Sequence, residues 1–246
     1  MGRKSSLRSM MRISVFLLVV LLVLYFLIHS PFFDIQAVSI TGNQVVMAGE
    51  IKALSGIVTG ANMFEVDCKQ AARAVEVHPL IKRASISRQL PGRVTIKVVE
   101  REPWGIVPVD SDFLVIDDCG VCLDRASSIE NWSGPVITLE NVPASTAPGT
   151  KVAPQAAAAV KNILAQLSPD TINHISAFHC ASNGQVYIYT LKGTEIRFGN
   201  QDMLQDKIRW VNEVMHMEEH LEVGRALEYV DLRFKGQPVV KYRVAR

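Results

Sequence analysis

The chain has 246 residues, of which 26 are basic, 24 acidic and 48% hydrophobic, for a formal net charge of +2. That balance excludes nucleic acid as the ordinary partner, because phosphate binding needs a concentrated basic surface to release counterions. Four cysteines are too few for a disulfide scaffold of this length, and Cys68 and Cys180 read as small buried apolar thiols.

Arg3, Lys4, Arg8 and Arg12 precede an apolar run over residues 13–33, with no acidic residue before it. Twenty-one residues at about 1.5 Å rise span about 31 Å, the thickness of a bilayer's hydrocarbon core. The run is predicted to be one transmembrane helix, with residues 1–12 held in the cytoplasm by their charge and everything beyond exported. A cleavable signal peptide would need small residues before the cut. The best position, after Ser30, is flanked by His29 and Pro31, so the segment is read as a retained anchor.

About 210 residues remain outside, enough for two small domains. With four basic residues before the anchor, the exported part carries 22 basic and 24 acidic residues. Ile35, Ala37 or Val38, and Ile40 read as a short strand closed by Gly42 and Asn43. Val46, Glu50, Ile51 and Leu54 fall at helical spacing before Gly56. A second helix is expected over residues 68–77, N-capped by Asp67 and ended by His78 and Pro79. Alternation then predicts strands over 81–89 and 93–100, joined at Pro91 and Gly92. This strand, helix, helix, strand, strand unit should pack two helices on one face of a three-stranded sheet.

Glu102, Pro103 and Trp104 mark a domain joint. Beyond it a hairpin is expected, with strands at 113–116 and 121–123 around a turn from Asp117 to Gly120, then a strand at 135–139 and a loop at 141–149. Pro154 opens a helix lined by Ala156, Val160, Ile163, Leu164 and Leu167, which Ser168 and Pro169 end. Strands follow at 175–178, 186–190 and 194–198, the last two joined through Lys192 and Gly193. Asn200 or Asp202 should cap a helix with Leu204, Ile208, Val211 and Met215 on one stripe. After Gly224, two extended runs at 228–234 and 238–244 hinge at Gly236.

Several patterns could carry chemistry. His216, Glu219 and His220 fit H-x-x-E-H, in which two histidines share a helix face and a glutamate activates water. They raise the alternative of a membrane-tethered exported zinc hydrolase. The stripe ends at Met215, however, and no separate third ligand or cleft is evident, so the reading is a polar last turn with no metal and no cofactor. Cys119 and Cys122 form C-x-x-C, but in a hairpin among Asp117, Asp118 and Asp124, where negative charge disfavours a thiolate. A structural hairpin is expected there, not a redox centre. Asn131, Trp132 and Ser133 match a glycosylation triplet in form and are read as loop. Neither a phosphate-binding loop nor a nucleophile elbow occurs.

The anchor, the Phe-x-Ile-x-x-Val-x-Ile-x-Gly-Asn run at 33–43, and the His-Pro...Leu-Pro-x-x-Val-x-Ile-x-Val-x-Glu-Arg-x-Pro run ending at Pro103 resemble the FtsQ/DivIB family of bacterial cell-division proteins. The stretch at 229–241, Tyr-Val-Asp-Leu-Arg-Phe-Lys-Gly-Gln-Pro-Val-Val-Lys, looks like the family's closing signature. The resemblance implies an α+β fold, with a transmembrane helix at 13–33, a POTRA domain (β-α-α-β-β) at 34–103 and a mixed β-rich domain with packed helices at 104–246. It further implies a noncatalytic bitopic scaffold of the division septum, engaging FtsB-like and FtsL-like (DivIC/FtsL) partners outside the cytoplasmic membrane. The family's partner-binding strand matches Arg233, Phe234, Gly236, Val239, Val240 and Tyr242. POTRA modules also serve transport and outer-membrane assembly, but the repeated units or the β-barrel typical of such proteins are not visible. A terminal edge strand with apolar side chains is also what recognition by strand addition requires.

Overall fold

The computed structural model describes residues 3–130, 132–143, 145–222 and 225–244, the side chains of residues 3–9 excepted. The side chains of Arg3, Lys4 and Arg8, and all of Asn131 and Gly224, therefore lie outside the described parts. Two compact units are present, Met1–Glu100 and Arg101–Arg246, each with its own hydrophobic cluster.

The first unit opens with helix α1 (Arg3–Ile28), whose apolar part, Met10–Ile28, has 19 residues and no buried side chain. At 1.5 Å per residue it reaches about 29 Å, enough to cross a bilayer core. The helix ends five residues earlier than the apolar run. Pro31 lacks the amide hydrogen that would continue the ladder, and Pro31–Phe33 form a single 3-10 turn capped by the Ser30 hydroxyl. Phe33 instead packs against the first unit's core and stands edge-on to Phe64, with ring centroids 5.1 Å apart.

Strand β1 (Ala37–Thr41) pairs in parallel with β3 (Arg93–Glu100), which pairs antiparallel with β2 (Ile81–Gln89), giving the order β1-β3-β2. Alternation on β3 buries Val94, Ile96 and Val98 against Ile51 of α2 (Ala48–Ser55) and Ala71 and Val75 of α3 (Cys68–Val75). Asp67 caps α3 by accepting from the Lys69 and Gln70 amides at 2.9 and 3.1 Å. Cys68, the first residue of α3, is half-buried, not core, because only the Ala71 and Val75 face turns inward. The Glu100 carboxylate accepts from the Val45 and Val46 amides, each at 2.9 Å, fixing the loop into α2. Burial pushes its pKa up, and these amide hydrogen bonds outweigh that and hold it below the usual range.

The second unit starts with a strand absent from the sequence reading, β4 (Gly105–Val109), which pairs antiparallel with β5 (Asp112–Ile116). Gly105, Ile106 and Val107 are buried in succession, so the period-two signal is missing, and Pro108 is tolerated because β4 is an edge. β6 (Cys122–Ala126) completes this three-stranded sheet. The larger sheet has the order β12-β11-β10-β9-β8-β7, built from β7 (Ile137–Leu139), β8 (Ile175–Cys180), β9 (Val186–Thr190), β10 (Glu195–Gly199), β11 (Arg225–Asp231) and β12 (Val239–Val244).

Helices α4 (Pro154–Leu164) and α6 (Leu204–Glu219) supply Val160, Ile163, Ile208, Val211, Val214 and Met215 to the core around Phe178 and Phe198. Each such fully buried side chain contributes about 1.5–3 kcal/mol. Ser168 and Pro169 begin a second short helix, α5 (Pro169–Asn173), with the Ser168 hydroxyl accepting from the Thr171 amide. A helix stop and a new N-cap use the same residue types, which is why only a stop was legible. Neither Asn200 nor Asp202 caps α6. The N-cap is Met203, at φ 53° with no side-chain cap bond, while Asn200 donates to the Asp202 carboxylate and its carbonyl accepts from buried Lys207 at 2.9 Å.

Candidate functional site

β11 is held on both sides. It runs parallel to β10, with Val230 and Leu227 buried, and antiparallel to β12, from Asp231 opposite Val239 to Arg225 opposite Val244. Between the two strands, Leu232 returns to the core, and Gly236 turns the chain at φ 111°, a conformation that glycine adopts without strain. β12 is therefore an edge six residues long, and its outer backbone has no strand partner among the described residues. The opposite edge, β7, has only three residues.

The six residues expected at a partner interface occupy this edge and its turn, in different roles. Phe234, Val239 and Tyr242 are 63%, 51% and 53% exposed, so they are surface and not core side chains. Val240 alternates with Val239 and packs against the core cluster. Gly236 is the turn. Arg233 is committed internally: its Nε donates to Asp231 Oδ1 at 2.9 Å, its Nη2 to Oδ2 at 2.6 Å, and its backbone amide to Oδ1 at 3.0 Å. Its aliphatic stem crosses Gly199, where an added Cβ would stand 2.9 Å from Arg233 Cγ. The guanidinium lies 5.9 Å from the Phe234 ring centroid.

Sequence reasoning missed what lies beside this edge. Met203, Arg209 and Trp210, at the start of α6, face Leu232, Phe234, Gly236 and Pro238 across a groove of about 260 Å³. Lys207 forms part of its wall, buried, with Nζ donating to Asn200; burial lowers its pKa against a weaker opposing pull from Asp202. The only advance signal was Trp210 beside the stripe, one residue before Val211. On the adjoining sheet surface, Arg197 lies 3.9 Å over the Tyr229 ring and bonds Glu195, while Lys241 donates to Glu228 at 2.8 Å. Arg197, Arg233 and Lys241 are thus paired within the unit and Arg243 donates to the Lys192 carbonyl, so the edge offers outward apolar side chains and backbone.

The remaining candidates resolve as follows. Asp117 is buried; its Oδ2 accepts from Arg101 at 2.6 Å and its Oδ1 from the Cys119 and Val121 amides, so it builds the hairpin turn. Cys119 is exposed, with its Sγ donating to Asp118 Oδ1 at 3.4 Å, and Cys122 is buried, where burial first and Asp124 second raise the thiol's pKa. Cys180 is buried and its pKa pushed up to about 11 by desolvation, the inert state expected of a core thiol. His216, Glu219 and His220 are exposed on the last turn of α6, with one donor atom of each within 4.8 Å of the others.

The residues that form these units match known families. Residues 33–101 match a POTRA domain of the FtsQ type, and residues 105–233, more than half the chain, match the C-terminal domain of the cell division proteins FtsQ/DivIB. A cell division protein DivIB of Clostridium botulinum strain Hall is 24% identical over 242 residues, covering 96% of this chain and 92% of that protein. A cell division protein FtsQ of Myxococcus fulvus is 28% identical over 176 residues, 70% of this chain and 61% of its own length. An FtsQ of Syntrophotalea carbinolica is 31% identical over 112 residues, covering 46% and 39%.

Proposed function

This chain belongs to the FtsQ/DivIB family of cell division proteins, and from that premise we propose that it is a noncatalytic, single-pass membrane scaffold of the divisome. It binds FtsB-like and FtsL-like partners outside the cytoplasmic membrane, at the division septum. The observation that carries this reading is the β12 edge, where Phe234, Val239 and Tyr242 stand exposed beside the groove under Trp210. An extended partner segment adds to the outer edge of β12 through main-chain hydrogen bonds, and an apolar partner side chain enters the groove. Arg233, locked to Asp231, orients the Phe234 turn, and Gly236 lets the turn close.

The domain limits proposed are those expected from the sequence: residues 1–12 in the cytoplasm, 13–33 carrying the anchor, 34–103 the POTRA domain and 104–246 the β domain. Arg3, Lys4, Arg8 and Arg12 retain the N-terminus in the cytoplasm. Confinement to the membrane surface raises the effective concentration of partners that are themselves anchored, so a modest strand-edge contact suffices.

The test is binding of the full chain, in detergent micelles, to exported segments of FtsB-like and FtsL-like proteins. Phe234→Glu should weaken binding at least tenfold while the melting temperature stays within about a degree, since Phe234 is mostly solvated. Unchanged affinity would remove the interface from this edge.

A further inference from the structure

We propose that His216, Glu219 and His220, together with His174, form a binding site for a divalent transition metal of the zinc type. The two histidines are four residues apart on α6 and share a face with Glu219, and one donor atom of each of the three lies within 4.8 Å of the others. What the sequence lacked was a ligand from a second element, and the fold supplies it. His174, the C-cap of α5, brings its Nε2 to 3.7 Å from Glu219 Oε1. Two ligands about 2.0–2.2 Å from a tetrahedral zinc stand about 3.4 Å apart, so small side-chain rotations of half-buried His174 and exposed Glu219 bring this pair to a common ion.

The tautomers favour metal. His174 Nδ1 is 2.9 Å from the Asp170 carbonyl, and His220 Nδ1 is 2.9 Å from the His216 carbonyl. A carbonyl only accepts, so each Nδ1 carries a proton, and Nε2 is the nitrogen left to bind a metal. A ring N–H held by a backbone carbonyl is the arrangement that orients metal-ligating histidines. His174 Nε2 faces the Glu219 carboxylate, and a shared cation would take the place of a proton between them. His216 Nδ1, 2.8 Å from His220 Nδ1, completes the cluster.

Imidazoles with one carboxylate suit zinc, nickel or copper, and not magnesium or calcium, which take oxygen ligands. Glu219 belongs to the ligand group itself, so the site is one of binding, and hydrolysis is no part of the proposal. A bound ion would join the end of α5 to the last turn of α6, beside Glu218, which anchors that turn to Thr190 and Thr194.

The experiment is calorimetric titration of the tag-free full chain in detergent micelles with zinc chloride, and separately with magnesium chloride. One zinc per chain with a micromolar dissociation constant is expected, magnesium giving no saturable heat, and zinc should raise the melting temperature by a few degrees. His216→Ala with His220→Ala should weaken zinc binding at least thirtyfold and abolish the thermal shift; His174→Ala should weaken it severalfold. Cys119→Ala, which alters the cluster with Asp117 and Asp118, should leave zinc binding unchanged. Because the residues replaced on α6 are exposed, circular dichroism should be unaltered. Wild-type zinc affinity in the double variant, loss of binding in Cys119→Ala alone, or no binding at 100 micromolar zinc would overturn the site. An unchanged constant in His174→Ala would overturn the role of α5.

Discussion

Arg233 and Asp231 form a forked ion pair, with Nη2 2.6 Å from Oδ2 and Nε 2.9 Å from Oδ1, at the point where β11 gives way to the turn carrying Phe234. Hydrogen bonding by Arg233 holds the Asp231 carboxyl below its usual value of 3.8, against the opposing effect of burial. A carboxyl with a depressed folded-state pKa contributes stability that is fully present above the unfolded value and lost as pH falls through the folded one. Asp231→Asn should therefore cost about 1–2 kcal/mol at pH 7, a penalty that shrinks below about pH 4. Urea denaturation of both proteins across that range checks it. A difference independent of pH would mean that the charge of Asp231 contributes nothing.

Glu218 is the second internal anchor of the β domain. It is buried on α6, and its Oε1 accepts from the Thr190 hydroxyl at 2.8 Å and from the Thr194 hydroxyl, while its carbonyl accepts from Lys192 Nζ at 2.8 Å. Glu218→Ala leaves the buried Thr190 hydroxyl without its acceptor and Thr194 with only the Leu227 carbonyl at 3.4 Å, and should destabilise the second unit by about 2–3 kcal/mol. Glu218→Gln keeps an acceptor oxygen and should cost about half as much. Equal losses in the two variants, measured by chemical denaturation, would show that packing and not hydrogen bonding sets the effect.

Gly42 ends β1 at φ 86°, and a Cβ there would stand 2.1 Å from the Val98 carbonyl oxygen on β3. Gly42→Ala thus combines backbone strain with a clash against a backbone atom that cannot move without breaking the sheet. We expect a loss of about 2–4 kcal/mol in the first unit. Hydrogen exchange should show lower protection over residues 37–41 and 93–100, with protection over 186–199 unchanged because the two hydrophobic clusters are separate. Uniform loss of protection in both regions would contradict that independence.

The order of the first unit was legible because each of its elements carries its own local signal: alternation on β2 and β3, helical spacing at Ile51 and Leu54, the Asp67 cap, and glycines where the chain turns. In the second unit the signals conflict. Val107 and Ile106 are buried next to each other, so β4 has no alternation to read. Ser168 and Pro169 both stop α4 and start α5. Asn200 has the chemistry of a cap and spends it on Lys207 and Asp202.

By itself the sequence determined that one apolar helix precedes two domains and that two extended runs, hinged at Gly236, follow Gly224, since hydropathy and periodicity are properties of neighbouring residues. Only the tertiary structure decided which side chains of those runs face solvent, that Trp210 walls a groove beside Phe234, and that His174 meets Glu219. Each of these joins residues distant in the chain or depends on where a strand lies within its sheet. Strand order and helix docking set such distances, and no local pattern of residues encodes them.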